Sequence, residues 1–112
     1  MADMPPIFKT LNTGSIASGA YKELDWTPDR DIIIRAVLLN ERSDYSLSNV
    51  QVYISIADVP YTKDFVPGSA VGQDLEYCWK PNLPVPKGAK IYVKITNSRA
   101  ETINVDVVFI YE

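Results

Sequence analysis

The chain is predicted to be all-β, an antiparallel β-sandwich of about seven or eight strands. Three observations carry that prediction. Apolar and polar residues alternate at period two over residues 50–57, 91–96 and 103–112, the signature of strands with one face in a core and one in water. Turn-forming residues recur at intervals of about eight to twelve, the spacing of short strands in a sandwich or barrel. No segment carries the 3.6-residue period of an amphipathic helix.

Residues 1–19 read as an extended N-terminal arm. Pro5 and Pro6, then Thr13-Gly14-Ser15 and Ser18-Gly19, leave little room for regular structure. Ile7, Phe8 and Leu11 are apolar, so the arm either docks on a neighbour or is a disordered leader. Removing residues 1–13 is expected to spare the fold, because residues 20–112 form a single sandwich domain. The first strand is 20–27, with Leu24 and Trp26 on one face, and Pro28-Asp29-Arg30-Asp31 makes a turn. Residues 32–40 are apolar in both phases, with Ile32, Ile34, Ala36 and Leu38 on one face and Ile33, Val37 and Leu39 on the other. Such a strand is covered on both sides, and its triple isoleucine favours strand over helix.

After a polar loop at 41–49, Val50, Val52, Ile54 and Ile56 form a clean alternating strand. Residues 58–74 are irregular and long enough to serve as a binding loop, with room for a short strand in 61–66. Residues 75–80 form another strand, with Leu75, Tyr77 and Trp79 on one face, and three prolines follow in 81–88. The last two strands, with Ile91, Val93 and Ile95 and then Ile103, Val105, Val107, Phe109 and Tyr111 facing inward, are read as a hairpin turning at Asn97-Ser98-Arg99-Ala100-Glu101.

A chain of 112 residues suits one core. The net charge of −3 argues against a nucleic-acid partner, which needs a basic stripe. No apolar run reaches membrane-spanning length, and the first residues lack the pattern of an export signal. The single cysteine, Cys78, allows no intrachain disulfide and reads as a small, half-buried strand residue. There is no histidine, which removes Ser-His-Asp and Cys-His catalysis and histidine metal sites. Phosphate-binding glycine loops are also missing. Carboxylate pairs for glycoside hydrolysis would come from Asp25, Asp29, Asp31, Asp58, Asp64, Asp74 and Glu76, but no spacing singles out a pair. Asp29-x-Asp31 fits a calcium loop and, preferably, a solvated turn. The expectation is therefore a protein without catalytic residues, metal or cofactor.

Two surfaces remain. Tyr45, Tyr53, Tyr61 and Tyr92 lie on loops or on the polar phase of strands, where aromatics stack on sugars or meet a partner, while Trp26 and Trp79 are assigned to the core. Ile33, Val37, Leu39, Val108 and Ile110 are apolar at outward positions. Either a loop or the arm covers them within one chain, or, together with Ile7, Phe8 and Leu11, they form a subunit or docking interface.

The run Leu83-Pro84-Val85-Pro86-Lys87-Gly88-Ala89-Lys90-Ile91-Tyr92-Val93-Lys94-Ile95-Thr96-Asn97, with Val105-Asp106-Val107-Val108-Phe109-Ile110-Tyr111-Glu112 at the end, resembles the closing segment of small jelly-roll virion proteins. These include decoration, accessory and minor capsid proteins of tailed phages and other double-stranded DNA viruses. The likeness spans about residues 14–112 and rests on pattern. It implies a jelly roll, a virion location, and a non-enzymatic subunit, often a trimer, that docks on a major capsid or other virion protein and stabilises the shell. The alternative is a carbohydrate- or receptor-binding sandwich. Jelly-roll and immunoglobulin-like strand orders both fit the pattern.

Overall fold

A computed structural model describes residues 7–62, 66–73 and 78–112. In chain order the strands are β1 (Ile7–Ile16), β2 (Tyr21–Trp26), β3 (Ile32–Glu41), β4 (Val50–Ile56), β5 (Val59–Pro60), β6 (Val66–Pro67), β7 (Leu83–Val85), β8 (Ile91–Asn97) and β9 (Ile103–Tyr111). A 3-10 turn, Leu47–Asn49, precedes β4, and one helical turn, α1 (Gly68–Val71), follows β6. Two antiparallel sheets face each other. One has the order β1-β9-β3-β7; the other has β2-β8-β4-β5, with β6 also paired to β4. In an immunoglobulin sandwich the first two strands lie side by side; here β1 and β2 lie in different sheets.

The core forms where the two inner faces meet. Ile54, Val93 and Ile95 from one sheet close on Ile34, Val105, Val107 and Phe109 from the other, all fully buried. The alternation read from residues 50–57, 91–96 and 103–111 is the alternation observed. Burying each such side chain contributes about 1.5–3 kcal/mol.

Four expectations need correction. The arm is one: its described part is β1, paired with β9 from Ile7↔Tyr111 to Ile16↔Ile103. The register shifts between Asn12 and Ser15, and Gly14 sits there at φ +69°. A glycine in the left-handed region lets a strand carry an extra residue and continue, so Thr13-Gly14-Ser15 interrupts β1 without ending it. Residues 1–13 thus hold most of a sheet strand, and deleting them would strip β9 of a partner.

The phase of β3 is the second. Its register with β9 slips between Ile34 and Ala36. Before the slip Ile32 and Ile34 face the core; after it Val37 and Leu39 do, both fully buried. Val37 and Leu39 are therefore core residues, not interface residues, and Leu38 faces outward with Ile33.

The third concerns the last two strands. β8 pairs with β2 and β4, whereas β9 pairs with β1 and β3. They are not a hairpin, because residues 98–102 cross from one sheet to the other. Asn97, fully buried, holds that crossing: its Nδ2 donates to Ile16 O (2.9 Å) and Glu101 O (2.7 Å), and its Oδ1 accepts from Arg99 N (2.9 Å).

The fourth concerns the long irregular stretch, which opens with a tight two-residue turn. Ala57 and Asp58, at φ 53° and 64°, join β4 to β5, the geometry of a type I′ hairpin. Asp64, Asp74, Glu76 and the inward residues Leu75 and Tyr77 of the expected 75–80 strand lie outside the described residues, as does half of the expected 61–66 strand. Beyond them Cys78 and Trp79 make single bridges to Gly72 and Val37.

Candidate functional site

The outer face of the four-stranded sheet is built in three rungs. Register places Phe8, Ile110 and Ala36 across the first, Thr10, Val108 and Leu38 across the second, and Asn12, Asp106 and Asn40 across the third. The first two rungs are apolar save for Thr10. Ile110 is 6% exposed and Phe8 59% exposed. The two apolar rungs lie two residues, about 7 Å, apart along the strands and run across three neighbouring strands about 4.8 Å apart, so they form one contiguous strip.

The third rung is polar and closed on itself. Asp106 accepts from Asn12 Nδ2 (2.8 Å), Asn40 Nδ2 (3.3 Å), and Arg42 Nε and Nη2 (3.1 and 3.0 Å). These bonds, Arg42's first, hold the Asp106 carboxyl below the ordinary aspartate range despite its burial. Beside it, buried Glu41 accepts from the backbone N–H groups of Tyr45 (3.2 Å) and Asn104 (2.7 Å). It thereby ties the loop after β3 to the start of β9. Among the described residues no buried side-chain polar atom lacks a partner. These carboxylates are fully engaged in structure.

Of the residues expected at an interface, Phe8, Val108 and Ile110 are brought together, and Ile33 lies further along β3 on the same face. Ile7 and Leu11 take the opposite phase of β1, facing Tyr111 and Val107, and Leu11 packs on the core. Ala36 and Leu38 complete the patch. No signal in β3 alone reveals them, because the bulge reverses its phase.

The four tyrosines fall at three places. Tyr53 and Tyr92 share the outer face of the five-stranded sheet, ring centres 6.0 Å apart and planes at 66°, so they form no coplanar platform. Burial, then Glu23, pushes the Tyr92 phenol above its ordinary value. Tyr45 lies under the Arg99 guanidinium (5.0 Å), at the edge of a cavity it shares with Asp44 and Gln73. Tyr61 packs on Trp79 (6.1 Å) at an apolar cavity of about 180 Å3 beside Ile54 and Val66.

Trp26 does more than fill the core. Its ring lies 5.7 Å from Phe109 and 5.0 Å from Tyr111. It also lines an open cleft of about 310 Å3 with Lys9, Asp29, Arg30 and Tyr111. Asp31, the other half of the Asp29-x-Asp31 pair, accepts a hydrogen bond from Lys87 N (2.8 Å). Among the described residues no group of three or more His, Cys, Asp or Glu side chains is disposed to hold a metal, and no helix is long and apolar enough to cross a membrane.

Compared with known families and with curated proteins, the chain matches no family model and no curated sequence.

Proposed function

We propose that this protein is a non-enzymatic structural subunit of a virion, which self-associates through the outer face of its four-stranded sheet and docks on a capsid protein. The observation that carries the reading is the pair of apolar rungs, Phe8-Ile110-Ala36 and Thr10-Val108-Leu38. Ala36 and Ile110 are already covered within the chain, but Phe8 is exposed and Val108 and Leu38 are half-buried; a sheet that needed only to meet water would place polar residues at those three positions. Burying Phe8, Val108 and Leu38 against a second copy stabilises an assembly at about 25 cal/mol per Å2 before the entropy cost of association. The polar rung at Asp106 gives the face one wet end, which fixes the orientation of the approaching copy.

Strand order supports the virion part of the reading. Orders β1-β9-β3-β7 and β2-β8-β4-β5 are those of a ribbon wound into a jelly roll, an architecture that viral capsid domains use. The resemblance of the closing segment points the same way and favours a trimer. The test is the solution mass by light scattering on a sizing column at several concentrations. A closed oligomer is expected, and Val108→Lys should reduce it to a folded monomer. A wild-type chain that stays monomeric throughout, or an oligomer that survives both Val108→Lys and Phe8→Asp, overturns self-association through this face. For the docking part, mass spectrometry of particles purified from the source of the sequence should find the chain in fixed ratio to the capsid protein.

A further inference from the structure

We infer that the cleft between Trp26, Tyr111, Lys9 and Arg30 binds an acidic sugar, a pyranose ring bearing a carboxylate. Its volume, about 310 Å3, lies at the small end of ligand pockets and suits one sugar unit better than a cofactor. Two aromatic rings, 5.0 Å apart and tilted at 56°, offer apolar surface for the C–H face of a pyranose.

The cations decide the charge of the ligand. The Lys9 ammonium lies 5.9 Å from the Trp26 ring centre, and the Arg30 guanidinium lies 5.8 Å from that of Tyr111. Both side chains are half-buried, and among the described residues neither is in an ion pair. A partly desolvated cation without a counter-ion favours an incoming anion more than a solvated one does. Arginine's planar fork matches a carboxylate with two parallel hydrogen bonds. Asp29, on the same wall, accepts hydrogen bonds from hydroxyls, and its charge disfavours a multiply charged phosphate.

The site is also held in place. Gly88 N donates to Pro28 O (3.1 Å) and Lys87 N to Asp31 Oδ1 (2.8 Å). The loop carrying Asp29 and Arg30 is therefore fastened before a ligand arrives, which lowers the ordering cost of binding. The other aromatic cavities lack this combination. The cation at Tyr45, Arg99, is already paired with Glu101 at 2.6 Å, and the cavity at Tyr61 has no cation among its described lining residues.

The experiment is a titration of the full chain with D-glucuronate, followed through the indole N–H resonances of Trp26 and Trp79. D-glucose serves as the neutral sugar and acetate as the bare carboxylate. Glucuronate is expected to move the Trp26 signal and leave that of Trp79 in place, with glucose and acetate binding at least about tenfold more weakly, the loss expected when a charged hydrogen-bonding partner is missing. Arg30→Gln should cost about the same factor, and Lys9→Gln is the second variant should the first fail to fold. Equal shifts from glucose or from acetate, no shift from glucuronate, or a glucuronate response unchanged in both variants each overturn the assignment.

Discussion

Asp106 shows how one side chain sets the polar boundary of a binding face. It is 9% exposed and accepts four hydrogen bonds. The Arg42 side chain is about half exposed, so water screens the ion pair and the two asparagine donors matter alongside it. Asp106→Asn should lower stability at neutral pH by about 1–3 kcal/mol in denaturant unfolding. The sign with pH follows from the depressed folded-state value. The carboxylate's contribution is complete above the ordinary aspartate pKa of about 4 and is lost as pH falls through the lower folded value. The stability gap between wild type and Asp106→Asn should therefore shrink on acidification, and a gap as large in strong acid as at neutral pH would rule out the ionic explanation. Asn97 presents a neutral counterpart. Its amide makes three buried or part-buried bonds at the sheet-to-sheet crossing, so Asn97→Ala should cost about 2–3 kcal/mol by leaving backbone groups unpaired.

At the scale of strands, regular alternation was legible and its interruptions were not. Val50, Val52, Ile54 and Ile56 could be assigned to one face because nothing breaks β4. In β3 the same rule failed from Ala36 onward, since both phases are apolar and a bulge costs no visible residue type. Removing Arg35 tests this: without the extra residue Ala36 follows Ile34 as the next outward position and Val37 and Leu39 stay inward in unbroken alternation. Circular dichroism should therefore report a folded chain, and an unfolded one would contradict the bulge assignment. β1 was hidden by Gly14, read as a breaker when it serves as a bulge. The β8–β9 crossing was hidden because alternation fixes a strand's face but not its neighbour. The turn at Ala57-Asp58 lacks the Asn-Gly chemistry its geometry prefers. Ala57→Asn with Asp58→Gly should raise stability by about 1 kcal/mol by relieving left-handed strain, measured as a higher melting temperature. The apolar patch was half legible: Phe8, Val108 and Ile110 stand out of phase in sequence, whereas Ala36 and Leu38 join them only through the bulge. The cleft at Trp26 was not legible, because Lys9, Arg30 and Tyr111 come together only through tertiary packing.

For the molecule as a whole, the two faces of one sheet give opposite responses to the same substitution. Val37→Lys places a charge in the core and should unfold the chain, whereas Val108→Lys should leave a folded monomer. If the outer face is the interface, the melting temperature of the wild type rises with protein concentration and that of Val108→Lys does not. The pairing of β1 with β9 has a mechanical consequence as well. Ile7 lies opposite Tyr111, so the outer ends of both strands sit at one pole of the sandwich. Tension applied between these two points loads a single rung and then the next, as in a zipper, and never the whole row in shear. The sandwich therefore peels open at low force when pulled by residues 7 and 111. An attachment that must survive sustained load has to grip a sheet face or opposite poles instead.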